Sequence, residues 1–364
     1  MNTIGRALRL TLFGESHGWG VGVVLDGVPA GLALDVAKDI QPDMDRRRPG
    51  QSLLTTQRQE ADRVELLSGL TDGHTTGNPL TLVVRNEDKQ SRVYDDTRFL
   101  PRPGHSDFPA YVKYGGQNDY RGGGQFSGRM TAGLVMAGAV AKKLLAPLGV
   151  EVRSHTVQIG DVRVERDVAW DELPGAEQNR VRCAVPEVAQ RMEALVEAMR
   201  NDQDSVGGVV EGVARGAKVG WGEPFFGGVE ACMAELLFSI PAVKGVDFGA
   251  GFRAPAMRGS QHNDPIAAEG GRIVTTTNHA GGILGGLTTG MPVVARVAFK
   301  PASSIARPQQ TIDLRTLEPA SLTTKGRHDP CIVPRAVPVV EACMAFTLAD
   351  LAALSGELEA SHGA

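Results

Sequence analysis

Three consecutive glycines, Gly122-Gly123-Gly124, sit within Arg121-Gly-Gly-Gly-Gln-Phe-Ser-Gly-Arg-Met-Thr131 and open onto an apolar, alanine-rich run from Ala132 to Leu148. Lacking a Cβ, each glycine can take φ > 0 or lie close against a neighbouring group. The run that follows reads as a buried helix. A glycine turn feeding a helix N-terminus suits an anion, because the first N–H groups of a helix have no internal partner. Arg121 and Arg129 bracket this turn. Glycine-rich turns also occur where only tight packing is served, so the stretch acquires chemical meaning from its companions.

Glycine is the compositional outlier throughout, with 45 among 364 residues against a usual share of ~7%. Basic and acidic residues nearly balance, at 38 and 42, so no overall charge draws the chain toward nucleic acid or an anionic membrane. Few aromatic residues are present to stack on single strands. Cys183, Cys232, Cys331 and Cys343 show no close metal-type spacing, and four reduced thiols are expected. The N-terminal residues contain no apolar h-region, and the apolar core of the helix, Ala132 to Ala141, is shorter than a bilayer requires. These features lead to the expectation of a cytoplasmic protein without a bound metal.

Along the chain, Gly14-Glu-Ser-His-Gly18 precedes a short strand, Val21 to Leu25. Asp35 reads as the N-cap of a short helix that Pro42 should end, with Arg46-Arg47-Arg48 beyond it. Leu80 to Arg85 reads as a strand and Asn86 to Gly124 as one long ordered loop carrying Arg102-Pro-Gly-His-Ser-Asp107. Val150 to Val162 has a strand–turn–strand pattern, and Pro186 to Arg200 an amphipathic helical one. Further strands are expected at Val209 to Ala214 and Pro292 to Phe299, and helices at Val229 to Ser239 and Pro338 to Leu354, the last with proline in its first turn. Without regular βαβ alternation, the pattern predicts an α+β fold with largely antiparallel sheets, forming one domain over residues 1–364.

The glycine-flanked loops concentrate His17, His105, Asp329, Ser16, Ser127 and many arginines. Guanidinium groups hold phosphates and carboxylates, while histidines exchange protons near neutrality. Three activities fit that inventory: a lyase expelling phosphate, a hydrolase using Ser16 with His17, and a non-catalytic phospholigand module. The hydrolase is disfavoured because adjacent side chains rarely face each other and Gly14 to Gly18 is not a nucleophile elbow. A binding module does not need the two histidines and the aspartate.

Gly14-Glu-Ser-His-Gly18, Gly122 to Thr131 and Gly326-Arg-His-Asp-Pro330 resemble, in order and position, the three signature segments of chorismate synthases. Asp45 to Gly50, Arg102 to His105, Asn278 to Ile283 and Lys300-Pro-Ala-Ser-Ser304 extend the resemblance from about residue 3 to 350. It implies a β-α-β sandwich, usually a homotetramer. It also implies a 1,4-anti elimination of phosphate from 5-enolpyruvylshikimate 3-phosphate to chorismate, dependent on reduced FMN (FMNH2). By similarity, His17 would assist the departing phosphate, His105 would protonate the reduced flavin and Asp329 would act at flavin N5, with Ser16 and Ser127 as relays. Arg46, Arg47, Arg48, Arg102, Arg129 and Arg327 would meet the substrate's anionic groups. Gln125, Phe126, Ser127, Pro241, Ala242, Gly285, Lys300, Pro301, Ala302, Ser303, Ser304 and Arg327 match flavin-contacting positions. The chain departs from the family at Ser52-Leu53-Leu54, uncharged where relatives often carry a basic residue tied to a pyridine-nucleotide (NADP) site. It departs again at Pro241, where asparagine is common. With no reductase domain visible, an external flavin reductant is expected.

Overall fold

The computed structural model describes residues 1–50, 60–87, 94–324 and 329–358. Two apolar helices, Thr131–Leu145 and Val333–Leu354, lie against each other at its centre. A five-stranded sheet covers each side, and every strand pairing in both sheets is antiparallel. The N-terminal sheet, with strands Arg9–Gly14, Gly20–Asp26 and Leu80–Arg85 adjacent, packs on the first helix. The second sheet, with Glu151–Ile159, Gly208–Arg215 and Val293–Phe299 adjacent, packs on the C-terminal helix. This is the expected α+β sandwich.

Helix composition makes that arrangement possible. An alanine- and glycine-rich helix presents little side-chain bulk, so its neighbours can approach closely on both sides. A Cβ on Gly133 would lie 2.5 Å from Leu12 Cδ2 of the N-terminal sheet, and one on Gly138 would lie 2.2 Å from Ala342 Cβ of the facing helix. By length and composition, residues 128–148 and 333–354 could each cross a membrane, more than Ala132 to Ala141 alone suggested. Here both are spent in the protein core, where Val135, Met136, Val340 and Met344 are fully buried. Strand Val293–Phe299 shows the matching sheet pattern: Val293, Ala295, Val297 and Phe299 are buried, and the residues between them are half-buried.

Two helix boundaries differ from expectation, both because of proline. The helix capped by Asp35, whose carboxylate accepts from Ala37 N and Lys38 N, continues as Gln41–Arg47, with Pro42 in its first turn. A proline there removes an N–H that a helix start leaves unbonded anyway. The C-terminal helix begins at Val333, five residues before Pro338, with Pro334 supplying the first-turn proline. Pro338 cannot donate to the Pro334 carbonyl, and Arg182 Nη1 fills the vacancy at 2.7 Å. The long loop after Asn86 also contains the helix Asp107–Lys113, which its aromatic, glycine-rich sequence concealed.

Candidate active site

The three glycines do adopt left-handed conformations, with φ of 58°, 86° and 53° at Gly122, Gly123 and Gly124. Each is pressed against a different group. A Cβ on Gly122 would fall 2.2 Å from His17 Cε1, one on Gly123 would fall 2.8 Å from His105 Cε1, and one on Gly124 would meet the Asp119 carbonyl. The turn therefore seats the two histidines on consecutive residues, although they come from loops 88 positions apart. Both imidazoles line one cavity of about 720 Å³ between the glycine turn and segments 238–244, 299–304 and 329–339. That volume lies in the upper part of the ~300–1,000 Å³ typical of small-molecule sites.

Charge is distributed unevenly around this cavity. Arg47, Arg102, Arg129, Arg335, Lys244 and Lys300 line it, and Asp329 is the one carboxylate among its described lining residues. Four of these cations are anchored by acids, three of them by acids set behind the wall. Asp62, whose side chain is fully buried, accepts from Arg47 Nη1 at 3.0 Å and from Arg129 Nη1. Burial would raise the Asp62 carboxyl, but the two guanidinium charges outweigh it and hold it below the usual range. Asp107 grips Arg102, and Arg335 Nη1 donates to Asp329 at 2.6 Å. The Lys300 ammonium is pushed down from its ordinary value by burial and by the charge of Lys244. An apolar wall of Phe126, Ile240, Val243, Phe299 and Val339 completes the lining.

Ser16 and His17, although adjacent, do meet: Ser16 Oγ lies 3.0 Å from His17 Nδ1. The turn at Gly14–Gly18 curls both side chains inward, against the expectation for neighbouring residues. Ser16 is nevertheless 1% exposed and donates to the Arg121 carbonyl at 3.2 Å, so its oxygen is no free nucleophile. Ser127 lines the cavity and its hydroxyl accepts from Arg129 N at 3.2 Å. Gln125, Phe126, Pro241, Ala242 and the whole segment Lys300, Pro301, Ala302, Ser303 and Ser304 line the same space.

Of the three consecutive arginines only Arg47 reaches the cavity. Successive helical residues point ~100° apart. Arg46 turns instead to Glu177, Asp43 and Glu341, and Arg48 lies half-exposed near Asp45. Neither Arg46, Arg48 nor Gly285 lines the cavity; Gly285 sits in the turn between Ile283–Leu284 and Leu287–Thr288. Arg327 and Ser52-Leu53-Leu54 fall outside the described residues. Sequence reasoning passed over Asp62, Lys244 and Arg335, and also Tyr94, which lines the cavity, and Asn86, whose Oδ1 accepts from Arg129 Nε at 2.9 Å. Asp107, two residues beyond His105 in the same motif, carried the only usable signal.

This geometry gathers two imidazoles, six cations and an apolar wall around one cavity. Comparison with known proteins gives it a family. The sequence pattern of chorismate synthase matches residues 8–353. The chorismate synthase of Korarchaeum cryptofilum is 53% identical over 95% of this chain and 96% of its own length. That of Aeropyrum pernix is 51% identical over 96% of this chain and 92% of its own. A chorismate synthase crystal structure superposes with a TM-score of 0.74 at 31% identity, covering 96% of this chain and 92% of that one. The chain belongs to the chorismate synthase family.

Proposed function

We propose that this chain, acting as a single domain in the cytoplasm, is a carbon–oxygen lyase. It eliminates phosphate from 5-enolpyruvylshikimate 3-phosphate to form chorismate, the last common step toward the aromatic amino acids. The observation that carries the reading is the pairing of His17 and His105 on consecutive glycines, facing a cavity lined by six cations and one carboxylate. Arg47 and Arg129, held rigid by Asp62, set fixed positive charge in the cavity lining, which favours phosphate or carboxylate groups at little reorganisation cost. His17 donates a proton toward the departing phosphate, and the Ser16 oxygen steadies its ring.

The cavity fits a flavin as well as the substrate. Gln125 to Ser127, Pro241, Ala242 and Lys300 to Ser304 line the cavity and would hold reduced FMN, and the cations Lys244 and Lys300 in the same lining suit an anionic group. When bound, reduced FMN would supply one-electron chemistry toward the substrate's double bond. His105 keeps a proton at the cavity rim, and Asp329, oriented by Arg335, accepts one. An external reductant keeps the flavin reduced, and the working assembly is a homotetramer.

The test is anaerobic turnover with chemically reduced FMN, which should convert the substrate to chorismate. Equal turnover without flavin would sink the mechanism. His17→Ala and His105→Ala should each slow turnover by ~10²-fold or more; wild-type rates in both would leave these rings a structural role only.

A further inference from the structure

We propose that Asp107 is the positioning residue that fixes His105 as its Nδ1–H tautomer, so that Nε2 is the nitrogen exchanging a proton with the contents of the cavity. The inference deepens, and rests on, the reading of His105 as a proton donor. Asp107 Oδ1 lies 2.7 Å from His105 Nδ1. Two bare acceptors repel at that separation, so one of the facing atoms must carry a hydrogen.

Asp107 does not carry it. Its carboxylate accepts from Arg102 N at 3.0 Å, Arg102 Nε at 2.7 Å and Arg102 Nη2 at 2.8 Å, besides the imidazole. Burial would raise this carboxyl, but those hydrogen bonds and charges outweigh burial and hold it well below the usual carboxylate range. The hydrogen therefore belongs to Nδ1. Arg102 Nη2 is the competing donor to that nitrogen, at 3.1 Å, yet its contact with the carboxylate is shorter. Ser106 Oγ, at 3.4 Å, is more distant still. Nε2 takes no hydrogen bond from the described residues, and it faces the missing Cβ of Gly123, whose position would lie 3.1 Å away.

Arg102 acquires a different task in this arrangement. Its guanidinium is spent on Asp107 and, through Nη1 at 3.1 Å, on Ser304 Oγ, so it anchors the dyad to segment 300–304. The neutral ring presents a lone pair at Nε2 and the cationic ring a proton there, without any change in orientation. A carboxylate behind the ring also stabilises the cation that must form before each donation.

The full-length protein, labelled with ¹⁵N-histidine, reports the tautomer directly. His105→Gln identifies the His105 signals among the eight histidines. At a pH where the ring is neutral, wild type should show a protonated Nδ1 and a bare Nε2. Asp107→Asn, whose amide can face the ring with either edge, should shift the population toward the Nε2–H form. It should also lower kcat by ~10²-fold with KM changed only a few-fold, and Asp107→Glu should restore part of both. A Nε2–H ring in wild type, or an Asp107→Asn protein with the wild-type tautomer, overturns the proposal. If Asp107→Asn does not fold, the wild-type spectrum decides alone. Full turnover in His105→Gln would remove the donor role of His105 while leaving the tautomer result standing, so the two failures are distinguishable.

Discussion

Gly122 is held between a backbone conformation few side chains adopt and an imidazole ring it nearly touches. In Gly122→Ala the new methyl group would bear a left-handed backbone penalty of ~1 kcal/mol. It would also overlap His17, since its position lies 2.4 Å from Nδ1. The ring must move, and displacement of a reacting group by ~1 Å can cost 10²-fold. The expected result is a folded protein, unchanged in far-UV circular dichroism, with turnover reduced ~10²-fold. Unaltered turnover would show that the turn can yield without disturbing the ring. At this scale the sequence was informative about which residues line the cavity and silent about how they meet. His17, His105, Ser127 and Arg129 stood out as reactive types in glycine-rich surroundings. Asp62 did not, because an aspartate in an unpatterned stretch gives no sign that it is destined for full burial between two arginines.

The two central helices carry their constraint in their smallest residues. Replacing Gly138 by alanine improves helix propensity by ~1 kcal/mol. Yet the new Cβ would sit 2.2 Å from Ala342 Cβ and 2.3 Å from Ala342 Cα, where no side chain can rotate aside. Overpacking should win, and Gly138→Ala should lose ~1–3 kcal/mol in urea unfolding; a gain would mean that the helices part without cost. The strands Leu80–Arg85 and Val293–Phe299 and the amphipathic helix Pro186–Asn201 were legible because a local pattern matched the element. The helix starts at Gln41 and Val333 were not, because they depend on what neighbours a proline. The carbonyl that Pro338 leaves unpaired within the helix, that of Pro334, is satisfied by Arg182 from a distant loop.

Across the whole molecule, an ion-pair network ties the centre together. Glu341, on the C-terminal helix, is nearly fully buried and binds Arg46 at 2.8 Å and Lys142, while Asp43 meets both cations. Burial would raise the Glu341 carboxyl, but the charges and hydrogen bonds of Lys142 and Arg46 bring it down to about 2. A carboxyl lowered on folding stabilises the native state above its unfolded value of about 4.5, and that contribution is lost as pH falls toward 2. Denaturant midpoints should therefore drop between roughly pH 4.5 and 2. Glu341→Gln should lower stability at neutral pH by roughly 3 kcal/mol and flatten that acid limb; an unchanged limb would assign it to other carboxylates. The glycine turn has a consequence of its own at this scale. His17 and His105 belong to loops that could drift independently, but each ring rests on one of two bonded residues. The two contact points are joined by a single rigid peptide plane. Movement of the turn would therefore press on both imidazoles at once, changing the distance of each to the cavity contents together.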